Sequence, residues 1–189
     1  MKTNNIMIVG VGGQGSLLAS KLLGNLLVDE GYDVKVSEVH GMSQRGGSVV
    51  TYVRYGEKVY SPIVDKGEAD FIVAFEKIEA ARYASYLKKD GVIIANSQEI
   101  EPMPVITGAA TYPHSALDEL CDLGIKVDMI DALTPATEAG SAKAVNIVLM
   151  GRLSKYMDIP EEKWIYAIKK SVAPKFVEMN IKAFSLGRK

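Results

Sequence analysis

The sequence predicts a three-layer α/β/α domain on a mostly parallel, mixed sheet, ending in a helical C-terminal region. Three observations predict it. Short apolar, β-branched-rich runs alternate with segments of helical period, a glycine turn joins the first strand to the first helix, and the chain from Lys143 onward is helical in pattern. A length of 189 residues, 48% hydrophobic and 24% charged, suits one core, since domains run to about 100 to 200 residues. The expected division is therefore a single domain over residues 1–189.

Ile6-Met7-Ile8-Val9 reads as a strand buried on both faces and ended by Gly10. From Ser16 to Glu30, Leu17, Leu18, Leu22, Leu23, Leu26 and Leu27 recur at helical spacing, with Gly31 as a stop. Asp33–Glu38 alternates as a second strand, and His40–Gly47 is a polar loop too rich in breakers to be helical. Val49–Tyr55 and Lys58–Ser61 flank Gly56-Glu57, which predicts a hairpin. Phe71–Phe75 is a further strand, followed by a helix through about Leu87, a turn at Asp90-Gly91 and the strand Val92–Asn96. A polar passage from Pro102 to Pro113 leads to a helix at Ser115–Leu123 and a strand at Lys126–Asp131. The helical remainder is broken at Pro160 and Pro174.

Bulk properties narrow the function. A net charge of -1 and a pI near 6.2 give no positive footprint for nucleic acid or an anionic membrane. No apolar stretch of about 18 residues occurs and the start lacks a signal-peptide pattern, so the expected location is cytoplasmic. The single cysteine, Cys121, rules out an internal disulfide or an iron–sulfur cluster held by this chain alone. No metal site is expected.

Gly10-Val11-Gly12-Gly13-Gln14-Gly15 fits G-x-G-x-x-G between strand and helix, which makes the domain Rossmann-like. There, backbone N–H groups and the helix dipole hold an anion in a nucleotide or phosphate site. The other reading is a turn that needs glycine only for positive φ and close packing. In a dinucleotide site an acid about 20 residues on takes the ribose hydroxyls. Glu38 stands near that place, or else pairs with Arg45 or caps a turn.

The stretch Ser37–Ser48 gathers His40, Ser43, Gln44, Arg45, Gly46 and Gly47 at the strand ends. Arg45 offers a planar fork for phosphate or carboxylate, or a contact to another subunit. His40 is a proton carrier, a carboxylate ligand or a hydrogen-bonded structural residue. His114 reads as a turn or cap residue, and Cys121 as core. Asp131 either reaches a ligand or caps the turn before Thr134-Pro135, and Asn146 bonds a loop backbone or a subunit neighbour. The stripe Phe176, Met179, Ile181 and Phe184 is expected to pack on the sheet.

With Gly10–Gly15, Ser37–Ser48, Lys58-Val59-Tyr60-Ser61-Pro62, Glu68-Ala69-Asp70, Glu138-Ala139-Gly140 and Asn146, the chain resembles the gamma-type domain family of 2-oxoacid:ferredoxin oxidoreductases. The string His40–Gly47 points to its indolepyruvate branch. The chain departs at Ser141, where the family often has Asn. The resemblance implies a complex that oxidatively decarboxylates an aryl 2-oxoacid with coenzyme A, forming an aryl-acyl-CoA and passing two electrons to ferredoxin. It implies a large alpha subunit carrying thiamine diphosphate and iron–sulfur clusters, and a small subunit, inactive alone, that completes the active site or helps accommodate coenzyme A. No catalytic residue is assigned here and no cofactor is bound by this chain with certainty. A homodimer of the isolated chain is a further state this reading allows. Two other classes stay open: a stand-alone nucleotide- or CoA-binding module, and an NAD-dependent dehydrogenase.

Overall fold

The structure is a computed structural model that describes residues 3–40 and 46–189. Six strands form one sheet: β1 (Thr3–Val11), β2 (Asp33–His40), β3 (Ser48–Gly56), β4 (Ala69–Ala74), β5 (Leu87–Asn96) and β6 (Lys126–Ile130), in the order β2-β3-β1-β4-β5-β6. β3 runs antiparallel to both β1 and β2, while β1, β4, β5 and β6 are mutually parallel. The mixed sheet is as the sequence predicts.

Alternation along each strand sorts residues to two faces. Ile6, Ile8, Val53, Val73, Phe75 and Ile94 face one core, built with α1 (Ser16–Asp29), α6 (Val145–Ser154), α7 (Glu161–Ser171) and α8 (Val177–Gly187). Met7, Val9, Tyr52, Ile72, Ala74 and Ile93 face the other, under α2 (Lys77–Tyr83) and α4 (Ala116–Asp122). Short helices α3 (Met103–Ile106) and α5 (Leu133–Ala139) complete the described α-helices. None of these helices is long and apolar enough to cross a membrane.

Four local expectations are corrected. Lys58–Ser61 is not a strand, because both edges of β3 are taken and side chains claim the segment's backbone groups. Arg54 donates to the carbonyls of Ser61 (3.1 Å) and Ile63 (2.7 Å), and Asp33 accepts from the Val59 N–H at 3.0 Å. Asp90-Gly91, expected as a turn, lies inside β5, where the register steps from Ala69↔Leu87 to Phe71↔Val92, while the helix before it runs on through a 3-10 turn at Ala84–Tyr86, as expected. A Cβ on Gly91 would stand 2.7 Å from the Leu87 side chain, so this bulge needs glycine. Cys121 is exposed, since the buried stripe of α4 is Ala116, Leu117 and Leu120. Finally, α8 packs on α6 and α5 rather than on the sheet. It buries Asn180, Ala183, Phe184 and Gly187, leaving Phe176, just ahead of it, exposed.

Candidate functional site

The crevice where parallel connections diverge lies between β1, whose crossover leads to β2, and β4, whose crossover leads to β5; ligands of open α/β sheets bind at such carboxyl ends. The first glycine loop closes over it. Gln14 folds back so that its amide oxygen accepts from the Val11 N–H (2.8 Å) and its amide nitrogen donates to the Phe75 carbonyl (3.0 Å) and Gln98 (3.3 Å). Gly10 is demanded by this closure, because a Cβ there would lie 2.9 Å from both Gln14 Oε1 and Phe75 Cβ.

Gly13 and Gly15 have φ of 104° and 88°, the left-handed region, which side chains rarely adopt. A Cβ on Gly15 would meet Asn146 Nδ2 at 2.8 Å, and that amide donates to the Gly15 carbonyl at 3.2 Å. Asn146 therefore bonds the loop backbone. No described residue takes the N–H groups of Gly13, Gly15, Ser16 and Leu17, so the α1 start keeps free donors and its positive dipole end.

The second loop meets the first. Gly12 donates to the Gly47 carbonyl at 2.9 Å and Gly46 donates back to the Gly12 carbonyl at 3.3 Å. Ser48, next in the chain, donates to the Glu79 carboxylate, which also takes Arg82 Nε at 3.1 Å. Ser43, Gln44 and Arg45 lie outside the described residues. Glu38 and His40 end β2 and, with Gly12 and Gly13, line a cavity of about 460 Å³.

Charge divides the two sides of the glycine loop. Among the described residues, the side toward β2 carries Glu38, whereas a cavity of about 600 Å³ on the other side, between Gly13, Gly15, Gln98 and Asn146, has Lys143 as its one charged lining residue. On that side Lys143 offers an attractive charge to an anion held by the loop. The sequence reading missed Lys143 and Gln98. Gln98 follows a strand end, which is a usable signal; Lys143 carries none.

Other candidates are structural. Asp131 accepts from the Leu133 and Thr134 N–H groups (3.0 and 3.2 Å) and from the Thr134 hydroxyl at 2.5 Å. That hydroxyl, followed by the Thr134 N–H, holds the Asp131 carboxyl below its ordinary range, so it is a cap. His114 pairs with Glu99 at 2.9 Å. Lys77 first, and His114 after it, lower the Glu99 carboxyl.

A family profile described as pyruvate ferredoxin/flavodoxin oxidoreductase matches residues 5–189. The chain is 48% identical to the indolepyruvate oxidoreductase subunit IorB of Thermococcus kodakarensis, across 100% of this chain and 96% of that one. Its fold is similar to that of a keto/oxoacid ferredoxin oxidoreductase gamma subunit from Geobacter sulfurreducens (TM-score 0.73, 21% identity, 97% and 95% coverage). It is also similar to part of a 2-oxoglutarate:ferredoxin oxidoreductase from Magnetococcus marinus, solved with 2-oxoglutarate, coenzyme A and succinyl-CoA (TM-score 0.75, 18% identity), covering 100% of this chain and 31% of that one.

Proposed function

The chain belongs to the pyruvate ferredoxin/flavodoxin oxidoreductase family, and from that premise we propose that it is the small subunit of an indolepyruvate:ferredoxin oxidoreductase. The observation that carries this reading is the 48% identity running end to end with an indolepyruvate oxidoreductase subunit. In this reading the larger subunit holds thiamine diphosphate and the clusters, coenzyme A is co-substrate, and ferredoxin accepts the electrons. The donor set here does not fit a cluster, because one exposed cysteine supplies one thiolate where such clusters take four. The contribution of this chain is then the joined pair of glycine loops, an array of N–H donors at the sheet edge that the larger subunit completes.

A dehydrogenase of the dinucleotide type fits the geometry less well. In that fold the strand bearing the ribose-binding acid lies beside β1. Here β3 is interposed, which sets β2 and Glu38 two strand spacings, about 9 to 10 Å, from β1. The test is reconstitution. The chain alone is expected to show no turnover with indolepyruvate or NAD(H), and mixing it with the larger subunit is expected to restore indolepyruvate-dependent, CoA-dependent ferredoxin reduction. NAD(H) turnover by the isolated chain would overturn the assignment.

A further inference from the structure

We propose that the larger subunit docks on the carboxyl edge of the sheet through an aliphatic rim, Leu17, Met103, Ile106 and Leu133, which closes around the joined glycine loops and shuts water out of them. The proposal rests on the reading of the chain as a small subunit and adds the surface by which it assembles. The four side chains are 65%, 65%, 60% and 44% exposed. A lone aliphatic residue in water needs no explanation, but four placed about one site do.

Topology puts them there, because the parallel strands end at one edge and each residue follows closely. Leu17 stands in the first turn of α1, directly after the first glycine loop, Met103 and Ile106 lie on α3 after β5, and Leu133 opens α5 after β6. Each element also borders a loop. Leu17 lines the cavity with Gly12 and Gly13, and Leu133 lines the one with Gly15 and Lys143. Pro102, which precedes α3, lines a third cavity of about 200 Å³ with Gly46 and Gly47.

The segment carrying Met103 and Ile106 is fixed before any partner arrives. Glu76, only 1% exposed, accepts from the Ile100 N–H at 3.2 Å on one side of that segment and from the Tyr112 hydroxyl on the other. It also accepts from the Glu79 N–H at 3.0 Å. One buried carboxylate thus ties both ends of the segment to the start of α2, and an anchor ordered beforehand loses little entropy on docking.

Charge complementarity selects the occupant. Beside the rim lie the N–H groups of Gly13, Gly15, Ser16 and Leu17, which no described residue takes, and the side chain of Lys143. Across a two-fold axis a second copy would set this donor array against itself, and donors buried opposite donors stay unpaired at a cost. A chain of different sequence can bring acceptors to the centre and apolar side chains to the rim. In an oxidoreductase built from several subunits, the larger subunit is that chain.

The test is association of the full chain with the purified larger subunit, measured by calorimetry without substrate. The variants are Met103→Asp with Ile106→Asp, Leu133→Asp, and Leu123→Asp as control, since Leu123 is 77% exposed and lies just ahead of β6, at the opposite end of the sheet. Both rim variants are expected to weaken association at least tenfold and the control to leave it unchanged, with all three unfolding at the wild-type urea midpoint. Amide exchange at Gly13, Gly15 and Ser16 is expected to slow in the complex. Wild-type affinity in either rim variant, unaltered exchange at those amides, or a homodimer of the chain alone that the rim variants dissolve would overturn the proposal. Failure of the wild-type chain to associate overturns it together with the reading it rests on, whereas association without indolepyruvate turnover counts against that reading alone.

Discussion

Gly15 and Asn146 are the pair on which the first loop turns. The glycine has no Cβ where Asn146 Nδ2 would collide with one at 2.8 Å, and the amide returns a hydrogen bond to the glycine's own carbonyl. Asn146→Ala removes a bond from a residue only 3% exposed and is expected to cost about 1 to 3 kcal/mol, read as a lower urea midpoint with faster amide exchange at Gly15 and Ser16. Arg45 is tested at the same scale: Arg45→Ala is expected to lower turnover of the reconstituted complex while leaving the unfolding midpoint of the small subunit unchanged. A third residue sets part of the acid limit. The Lys35 hydrogen bond first, then the Val59 N–H, pull the Asp33 carboxyl from an ordinary 3.8 down to about 2. A carboxyl lowered by folding stabilises above its unfolded value and loses that contribution as pH falls through the folded one. Asp33→Asn is therefore expected to flatten the stability curve between about pH 4 and 2, measured by urea unfolding across that window.

Among the elements, α6 and α8 cross in close contact. A Cβ on Gly151 would lie 2.2 Å from the Phe184 carbonyl oxygen, and one on Gly187 would lie 2.1 Å from that of Val148, so the two backbones touch where each helix has glycine. Gly151→Ala must push the helices apart and is expected to destabilise by about 3 kcal/mol, or about 6 to 12 °C in Tm. Gly24 in α1 predicts the opposite sign, because its added Cβ would meet Val36 Cγ2 at an ordinary 3.5 Å. Gly24→Ala is expected to stabilise by about 0.5 to 1 kcal/mol through helix propensity. Calorimetric Tm values of the two variants side by side check both. The element with most consequence for function is β3, whose antiparallel insertion between β1 and β2 carries the second loop onto the first.

At the scale of the molecule, the carboxyl edge of the sheet brings together groups from five segments: the glycine loop, the end of β2, the start of β3, Gln98 and Lys143. Such an edge offers donors and a cation, and activity is expected only when the larger subunit is added back. Much of this was legible beforehand, as apolar alternation marked β1, β4, β5 and β6, leucine spacing marked α1, and Gly10–Gly15 marked the loop. Asn146 inside an apolar run announced a buried partner, though not which one. The hairpin at Gly56-Glu57 misled because two strand-like runs around a turn satisfy the local rule whether or not they pair. Cys121 misled because a short helix leaves its buried arc ambiguous by one residue. What the sequence by itself determined was local: which segments are extended or helical, and where backbone conformation demands glycine, since propensity and periodicity act over a few neighbouring residues. What only the tertiary structure decided was adjacency: the place of β3, the joining of Gly12 to Gly46 and Gly47, and the placing of Lys143 beside the glycine loop. Those depend on burial and pairing summed over the whole chain, which no short window of residues contains.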